Sequence, residues 1–150
     1  MDFHAYLKLL KGVDSPRQDQ YGKWLGYEID AFDQSEKTIK TSLEIRDEHL
    51  SPSGAVHGGV VSGFLDFSCG AAVFAHLDLD ELCSTVDLSV KYFRPVLSGD
   101  RIIAEPKVVH KGKTLSSVTT FVKMAGSEDR PVAMATATFN IYKFKKFRSK

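Results

Sequence analysis

The stretch VHGGVVSGFLDFSCG, residues 56–70, contains residues that could do chemistry inside an otherwise apolar run. Asp66 stands among large apolar side chains, and burying an unpaired carboxylate costs several kcal/mol. Asp66 therefore has partners, is protonated, or faces a cavity. Gly63 and Gly70 also need a reason, because an interior helical glycine costs about 1 kcal/mol relative to alanine. We expect them to let the helix backbone approach a neighbouring element closely.

Other catalytic groups are less clearly indicated by the sequence. His57 precedes a pair of glycines, and it is either a ligand or base, or a residue that holds a loop through backbone hydrogen bonds, which we favour. Cys69 and Cys83 are too few for a disulfide framework and lie in apolar surroundings, which fits a reducing cytosol. No zinc-ligand spacing, phosphate-binding P-loop or G-x-S-x-G elbow is present in the sequence, so no metal or cofactor is predicted.

Composition limits the class of protein. The 150 residues are typical of one domain, and we treat residues 1–150 as a single unit. A net charge of +1 gives no general attraction to nucleic acid. The N terminus lacks a signal-peptide pattern, so a cytoplasmic location is expected. Residues 60–77 include Asp66 and His76 and lack flanking basic clusters, which argues against a membrane span.

Hydrophobic periodicity predicts an α+β domain. A short helix is expected over residues 2–11, a hairpin of two strands over residues 23–32 and 36–45, and a long apolar helix from Gly58 to Leu77. Four strand candidates follow, in which Val86 and Leu88 share a face and Pro106 interrupts one strand. An antiparallel sheet curling around the long helix would cover its apolar surface. The basic tail over residues 143–150 is interpreted as solvated.

The ordered motifs resemble a known family. His57, Gly58 and Gly59 are followed by Asp66 nine residues after the histidine, and STVDLSVKYFRP, GDRIIAEPKVVHKGKT and an Ala/Thr-rich last strand come in order. Over about residues 20–144 the chain resembles hotdog-fold acyl-CoA thioesterases, in the branch similar to the phenylacetate-degradation enzymes. The resemblance implies five to six antiparallel strands around one helix. It also implies hydrolysis of acyl-CoA by a homodimer, or a dimer of dimers, with its site at the subunit interface.

The resemblance also implies roles for particular residues. Gly58 would offer its N–H to the oxyanion at a helix N terminus, and Asp66 would act as general base or nucleophile. Thr85 corresponds to a hydroxyl that orients the attacking water. Ser51 stands where many relatives have an asparagine, and either Ser51 or His49 would replace it.

The nucleotide end of CoA needs cations and exposed N–H groups. The resemblance implies that the predicted CoA-binding residues are Gly59, Arg94, Lys111, Gly112, Lys113 and Thr114. A solvated hairpin turn explains the last four residues equally well. Two other functions are kept open: a non-catalytic acyl-CoA binding protein, and a hotdog enoyl-CoA hydratase or dehydratase.

Overall fold

The fold is that of a computed structural model, which describes residues 19–78 and 80–143. The predicted helix over residues 2–11 and the tail beyond residue 143 lie outside this range. In chain order the elements are helix α1 (Gln20–Leu25), strands β1 (Glu28–Asp33) and β2 (Thr38–Glu44), a 3-10 turn (Asp47–His49), helix α2 (Gly58–Phe74), and strands β3 (Glu81–Tyr92), β4 (Arg101–Ala104), β5 (Lys107–Lys111), β6 (Leu115–Met124) and β7 (Ser127–Lys143).

All the strands form one antiparallel sheet, with the order β1-β2-β4-β6-β7-β3 and with β5 paired to β6. The described residues form seven strands, more than the five to six that were predicted, because the extended segment is interrupted at Glu105 and Pro106, between β4 and β5. Pro106 was predicted to interrupt a strand, and it has no N–H to donate to a ladder. The α+β class and the hotdog arrangement, one long helix against an antiparallel sheet, are confirmed.

Helix α2 forms the centre of the core. Phe64, Leu65 and Cys69 are fully buried among side chains of the sheet. Each large apolar side chain buried in this way stabilises the fold by about 1.5–3 kcal/mol. The helix ends at Phe74 rather than at the predicted Leu77, because the N–H groups of His76 and Leu77 bond three residues back and tighten the last turn.

The interior glycines of α2 allow close packing, as predicted. A Cβ added at Gly70 would lie 3.3 Å from the ring of Phe139 in β7. A Cβ added at Gly63 would lie 2.0 Å from the hydroxyl of Tyr21 in α1. Both glycines therefore bring α2 nearer to its neighbours than alanine would allow. Among the described residues, no helix is long and apolar enough to cross a membrane.

The predicted strand over residues 23–32 is wrong in its first part, which is helical. Asp19 caps α1 by accepting a hydrogen bond from the N–H of Gly22, and Gly26 ends the helix in the left-handed region. Leu25 is therefore buried as a helical residue, while Tyr27 stacks on Phe67 of α2. The alternation of apolar residues continued through the cap and hid the boundary.

Strand β3 contains a β-bulge that the sequence did not indicate. Thr85 pairs with Phe139 and Asp87 pairs with Thr138, so Val86 has no partner across the ladder. The prediction that Val86 shares the face of Leu88 is wrong, since Val86 is 61% exposed and Leu88 packs against the core. A bulge redirects the side chains on one side of it relative to those on the other.

Candidate active site

The His-Gly-Gly turn is held at the start of α2 by its own hydrogen bonds. The N–H of His57 donates to the carbonyl of His49 at 2.8 Å, and Nδ1 of His57 accepts from the N–H of Gly59 at 3.0 Å. The His57 carbonyl accepts from the N–H of Val60. His57 is thus the N-cap residue, in the loop-holding position that we favoured.

The backbone N–H of Gly58 is a hydrogen-bond donor that the turn itself does not use. It has no acceptor among the residues that the structure describes. Gly58 lies beside an open cavity of about 380 Å³, whose lining includes Tyr92, Phe93, Arg94 and Val132. A free N–H at a helix N terminus carries partial positive charge, which suits an anion or a developing oxyanion.

Asp66 has a hydrogen-bond partner, which answers the question raised by its apolar neighbours. The hydroxyl of Thr85 donates to Oδ1 of Asp66 at 2.7 Å. Asp66 is half-buried on α2 and Thr85 is exposed on β3, so the pair lies at an open face of the protomer. The bulge at Val86 allows Thr85 to face α2 while Leu88 also faces it.

The two cysteines lie in the same region as Asp66. Burial, together with the charge of Asp66, raises the pKa of the Cys69 thiol to about 12. Burial, again with the charge of Asp66, raises the pKa of Cys83 to about 11. Because a thiolate is the reactive form, neither cysteine is a nucleophile near neutral pH.

One protomer keeps Gly58 and Asp66 apart. Asp66 is the eighth residue after Gly58 in the helix, which corresponds to about 12 Å along the axis. A nucleophile or a water must approach to about 3–3.5 Å of the carbon whose oxygen the oxyanion donor holds. Gly58 and Asp66 of the same chain therefore do not meet at one carbonyl group.

Ser51 is used within its own loop. Its hydroxyl bonds to the hydroxyl of Ser53 at 2.7 Å and donates to the carbonyl of Ala55 at 3.1 Å. Among the described contacts, none joins Ser51 to Gly58 or Asp66. The structure therefore does not bring Ser51 to the two central residues of the predicted site.

His49 is buried and holds the His-Gly-Gly turn through a backbone hydrogen bond to His57. It is 1% exposed, its Nδ1 accepts from the N–H of Arg46 at 3.1 Å, and its carbonyl holds His57. Burial, together with the nearby charge of Arg46, lowers the pKa of His49 below its ordinary value. Sequence reasoning considered His49 only as a substitute for the missing asparagine.

The predicted CoA-binding residues fall into two separate groups. Arg94 and Gly59 lie near the start of α2, where Arg94 lines the Gly58 cavity. The turn after β5 lies at the other end of β3, because Lys111 pairs with Glu81 at 3.6 Å. Twelve residues of β3 separate these ends, a distance on the order of 30 Å. One protomer does not bring Arg94 and this turn together.

Within the turn, some donors are already used. The N–H of Gly112 donates to the carbonyl of Leu115, and the carbonyl of Thr114 accepts from Ile141. Lys113 is exposed at the tip. Lys111 and Lys113 therefore supply the charge of the turn, with Lys111 already balanced by Glu81.

A comparison of the sequence with protein-family profiles assigns this chain to a family. The profile of the thioesterase superfamily matches residues 53–129, more than half of the sequence. The chain belongs to the thioesterase superfamily. The matched region of this superfamily member includes the His-Gly-Gly turn, all of α2 and all of β3.

Curated relatives of this thioesterase-superfamily chain are distant. A protein of Archaeoglobus fulgidus, provisionally named an esterase, is 24% identical over 107 residues, which cover 71% of this chain and 66% of that relative. A protein of Deinococcus radiodurans, also provisionally named an esterase, is 26% identical over 82% of this chain and 80% of its own length. The match therefore spans slightly less than two thirds of the Archaeoglobus protein.

Several solved structures share the fold. A thioesterase of Haemophilus influenzae has a TM-score of 0.79 at 19% identity, covering 93% of this chain and 92% of its own. A Ralstonia eutropha protein, provisionally described as a thioesterase related to phenylacetic acid degradation, has a TM-score of 0.76 at 26% identity, covering 90% and 98%. The Escherichia coli PaaI protein from the phenylacetic acid degradation operon has a TM-score of 0.78 at 17% identity, covering 95% and 96%.

Proposed function

We propose that the protein hydrolyses an acyl-CoA thioester to a free carboxylic acid and CoA. The observation that carries the proposal is the hydrogen bond from Thr85 to the half-buried carboxylate of Asp66, at an open face of a thioesterase-superfamily chain. In the reaction water adds its oxygen to the acyl carbon, the C–S bond breaks, and the sulfur leaves as a thiolate that takes up a proton. No cofactor is needed for this chemistry.

The Gly58 N–H supports the proposal as an oxyanion donor. When water attacks a thioester carbonyl, negative charge develops on its oxygen, and a preorganised N–H stabilises that charge most strongly in the transition state. The free N–H of Gly58 and the positive end of α2 point to the same role.

Asp66 fits both roles that the sequence left open. Thr85 occupies Oδ1, which leaves Oδ2 free to accept a proton from water or to attack the acyl carbon. As general base Asp66 would hold the water beside Thr85, and as nucleophile it would form a mixed anhydride that water then cleaves. Either path gives the same products.

The separation of Gly58 and Asp66 leads to a site shared by two subunits. Strand β3 is an edge of the sheet with twelve residues and no outer partner among the described strands, and such an edge is a template for pairing. We propose an antiparallel pairing of two β3 strands centred between Leu88 and Ser89, in which Thr85 would lie opposite the partner subunit's Tyr92. Because Thr85 contacts Asp66 and Tyr92 contacts Gly58, Asp66 would then lie near the partner subunit's Gly58. We therefore include a homodimer in the proposal.

The CoA portion of the substrate is proposed from the charges around the site. Arg94 beside Gly58 offers a cation for a phosphate or the pantetheine arm, and Lys113 is a second exposed cation on the turn after β5. A dimer brings the two groups of CoA-binding residues nearer than one protomer does.

A cytoplasmic location is part of the proposal, and the two free cysteines support it.

The test is release of CoA from a panel of straight-chain and aromatic acyl-CoAs, followed with a thiol reagent. The raised pKa values of Cys69 and Cys83 keep the background from the protein low. We expect Asp66→Asn to lose turnover by about 10² or more, with CoA-ester binding unchanged. Asp87→Asn, an exposed carboxylate on β3, is the matched control and should keep its activity. If the wild type binds acyl-CoAs but releases no thiol from any of them, the hydrolase proposal fails and the protein is an acyl-CoA binding protein.

A further inference from the structure

We infer that Tyr92 is a positioning residue, whose hydroxyl fixes the Gly58–Gly59 peptide and thereby aims the Gly58 N–H. The inference rests on the proposed function and adds a residue to it. Tyr92 ends β3, the strand that also carries Thr85, and its hydroxyl donates to the carbonyl of Gly58 at 3.1 Å. The sequence indicated Tyr92 only as part of the strand motif STVDLSVKYFRP.

The Gly58–Gly59 peptide is held at both ends. Its carbonyl accepts from the Tyr92 hydroxyl, and its N–H, which belongs to Gly59, donates to Nδ1 of His57 at 3.0 Å. Two successive glycines have no side chains to restrict their backbone angles. Hydrogen bonds to the peptide between them therefore replace the restraint that side chains would give.

The preceding peptide is held only at its carbonyl. The His57 carbonyl accepts from the N–H of Val60 at 2.9 Å and from that of Val61 at 3.4 Å, while its own N–H, on Gly58, stays free. Hydrogen bonds to a peptide carbonyl polarise the group and strengthen its N–H as a donor. Once Tyr92 fixes the next peptide, the direction of this donor is set on both sides of Gly58.

Ser62 extends the same network along α2. Its hydroxyl bonds to the Tyr92 hydroxyl, and Ser62 lies one helical turn after Gly58. Because the hydrogen of the Tyr92 hydroxyl goes to the Gly58 carbonyl, the Ser62 hydroxyl is the donor to Tyr92. The chain of hydrogen bonds runs from Ser62 through Tyr92 to Gly58, and it ties the edge strand to the first turn of the helix.

The ring of Tyr92 has a separate role from its hydroxyl. A Cβ added at Gly58 would lie 3.5 Å from the ring, so the ring already lies at van der Waals distance from the turn. The side chain also lines the cavity beside Gly58. Removing the hydroxyl alone therefore tests the hydrogen bond while the packing stays in place.

Tyr92→Phe is expected to lower kcat about tenfold and to change KM by less than about twofold. Misplacing a catalytic group by an ångström lowers the rate about a hundredfold, and we expect a loosened turn to move by less than that. Ser62→Ala should have a smaller effect. The double variant should be no worse than Tyr92→Phe alone, because both changes break one network. Tyr142→Phe, on β7 and 43% exposed, is the matched control and should behave like the wild type.

A second readout separates positioning from folding. An isotope-labelled ketone analogue of acyl-CoA, with a methylene in place of the sulfur, shows a lowered infrared carbonyl stretching frequency when an oxyanion donor holds it. We expect the frequency to rise toward that of the free analogue in Tyr92→Phe, with an unchanged unfolding midpoint. If the wild type turns over acyl-CoA while Tyr92→Phe keeps the same kcat and the same carbonyl frequency, this inference is overturned and the proposed function stands. No turnover by the wild type would overturn the proposed function and this inference with it.

Discussion

At the scale of single residues, the hydroxyl of Thr85 is what distinguishes Asp66 from an ordinary half-buried carboxylate. The bond of 2.7 Å fixes one carboxylate oxygen and, in the proposed mechanism, leaves the other for the reaction. Thr85→Val keeps the shape of the side chain and removes the donor. We expect steady-state assays to show turnover lower by about tenfold or more, since one oriented group in general base catalysis contributes on that order or above.

The matched variant is Thr85→Ser, which keeps a hydroxyl and should retain most of the turnover. Ser84→Ala, an exposed neighbour on the same strand, should have no effect. Full turnover in Thr85→Val together with a loss in Thr85→Ser would mean that the methyl group, rather than the hydrogen bond, matters to the reaction.

His49 gives the protein a predictable response to pH. Its pKa in the folded protein lies below the ordinary 6.5, because burial and the charge of Arg46 disfavour the charged ring. The unfolded chain therefore takes up this proton first as the pH falls. The contribution of neutral His49 to stability is complete above about pH 6.5 and is lost as the pH falls through the folded pKa.

The measurement is the free energy of unfolding against pH for the wild type and His49→Asn. The oxygen of asparagine can still accept from the Arg46 N–H, in place of Nδ1. We expect the wild type to lose more stability than the variant below about pH 6.5. Parallel curves for the two proteins would show that His49 does not titrate differently in the folded and unfolded states.

At the scale of elements, the sequence predicted what depends on periodicity and missed what depends on single contacts. The long helix and the β1–β2 hairpin follow from patterns over many residues, and both are present. Helix α1 depends on a cap by Asp19 and a stop at Gly26. The strand-like alternation of Leu25, Tyr27 and Ile29 runs across that stop. The bulge at Val86 inserts one residue into a regular alternation, so nothing in the pattern marks it.

The candidate site shows the same division. Asp66 stood out because a carboxylate conflicts with an apolar helix, and Gly58 because of the resemblance. The contact from Tyr92 to Gly58 joins residues 34 positions apart, and only the folded sheet brings them together. One usable indication was present, since a tyrosine at the end of a strand packed on a helix needs a partner for its hydroxyl.

The end of helix α1 offers a test at this scale. Gly26 has a φ of 78° and an added Cβ would lie 2.3 Å from Nη1 of Arg46, whereas Gly54 has a φ of 85° and open space around it. Alanine at either position costs about 1–2 kcal/mol of stability for the left-handed backbone. Gly26→Ala must also displace Arg46, which bonds to the carbonyl of Leu25. We expect denaturant unfolding to show a larger loss for Gly26→Ala than for Gly54→Ala, and equal losses would contradict the proposed clash.

At the scale of the whole molecule, the two groups of the proposed mechanism, the Gly58 N–H and the Asp66 carboxylate, lie on one rigid helix, so the proposed reaction needs an assembly that joins groups from two subunits. Helix α2 fixes Gly58 and Asp66 about 12 Å apart, and no side-chain motion closes that gap. The proposed two-fold axis across the edge strand β3 would create two equal sites from one contact. The protein is then active only as an assembly, and a monomeric form should release no CoA.

Mixed dimers test this arrangement directly. Gly58→Ala should fold, since the methyl group meets the Tyr92 ring at 3.5 Å, but it should obstruct the approach of the carbonyl to the N–H. Asp66→Asn chains and Gly58→Ala chains, each with low turnover alone, are unfolded, mixed in equal amounts and refolded together. Half of the dimers are then mixed, and each mixed dimer has one site with both groups intact. We expect about a quarter of wild-type turnover to return, because an isologous dimer pairs each Asp66 with the partner subunit's Gly58. If each site belonged to one chain, every site would carry a defect and mixing would restore nothing.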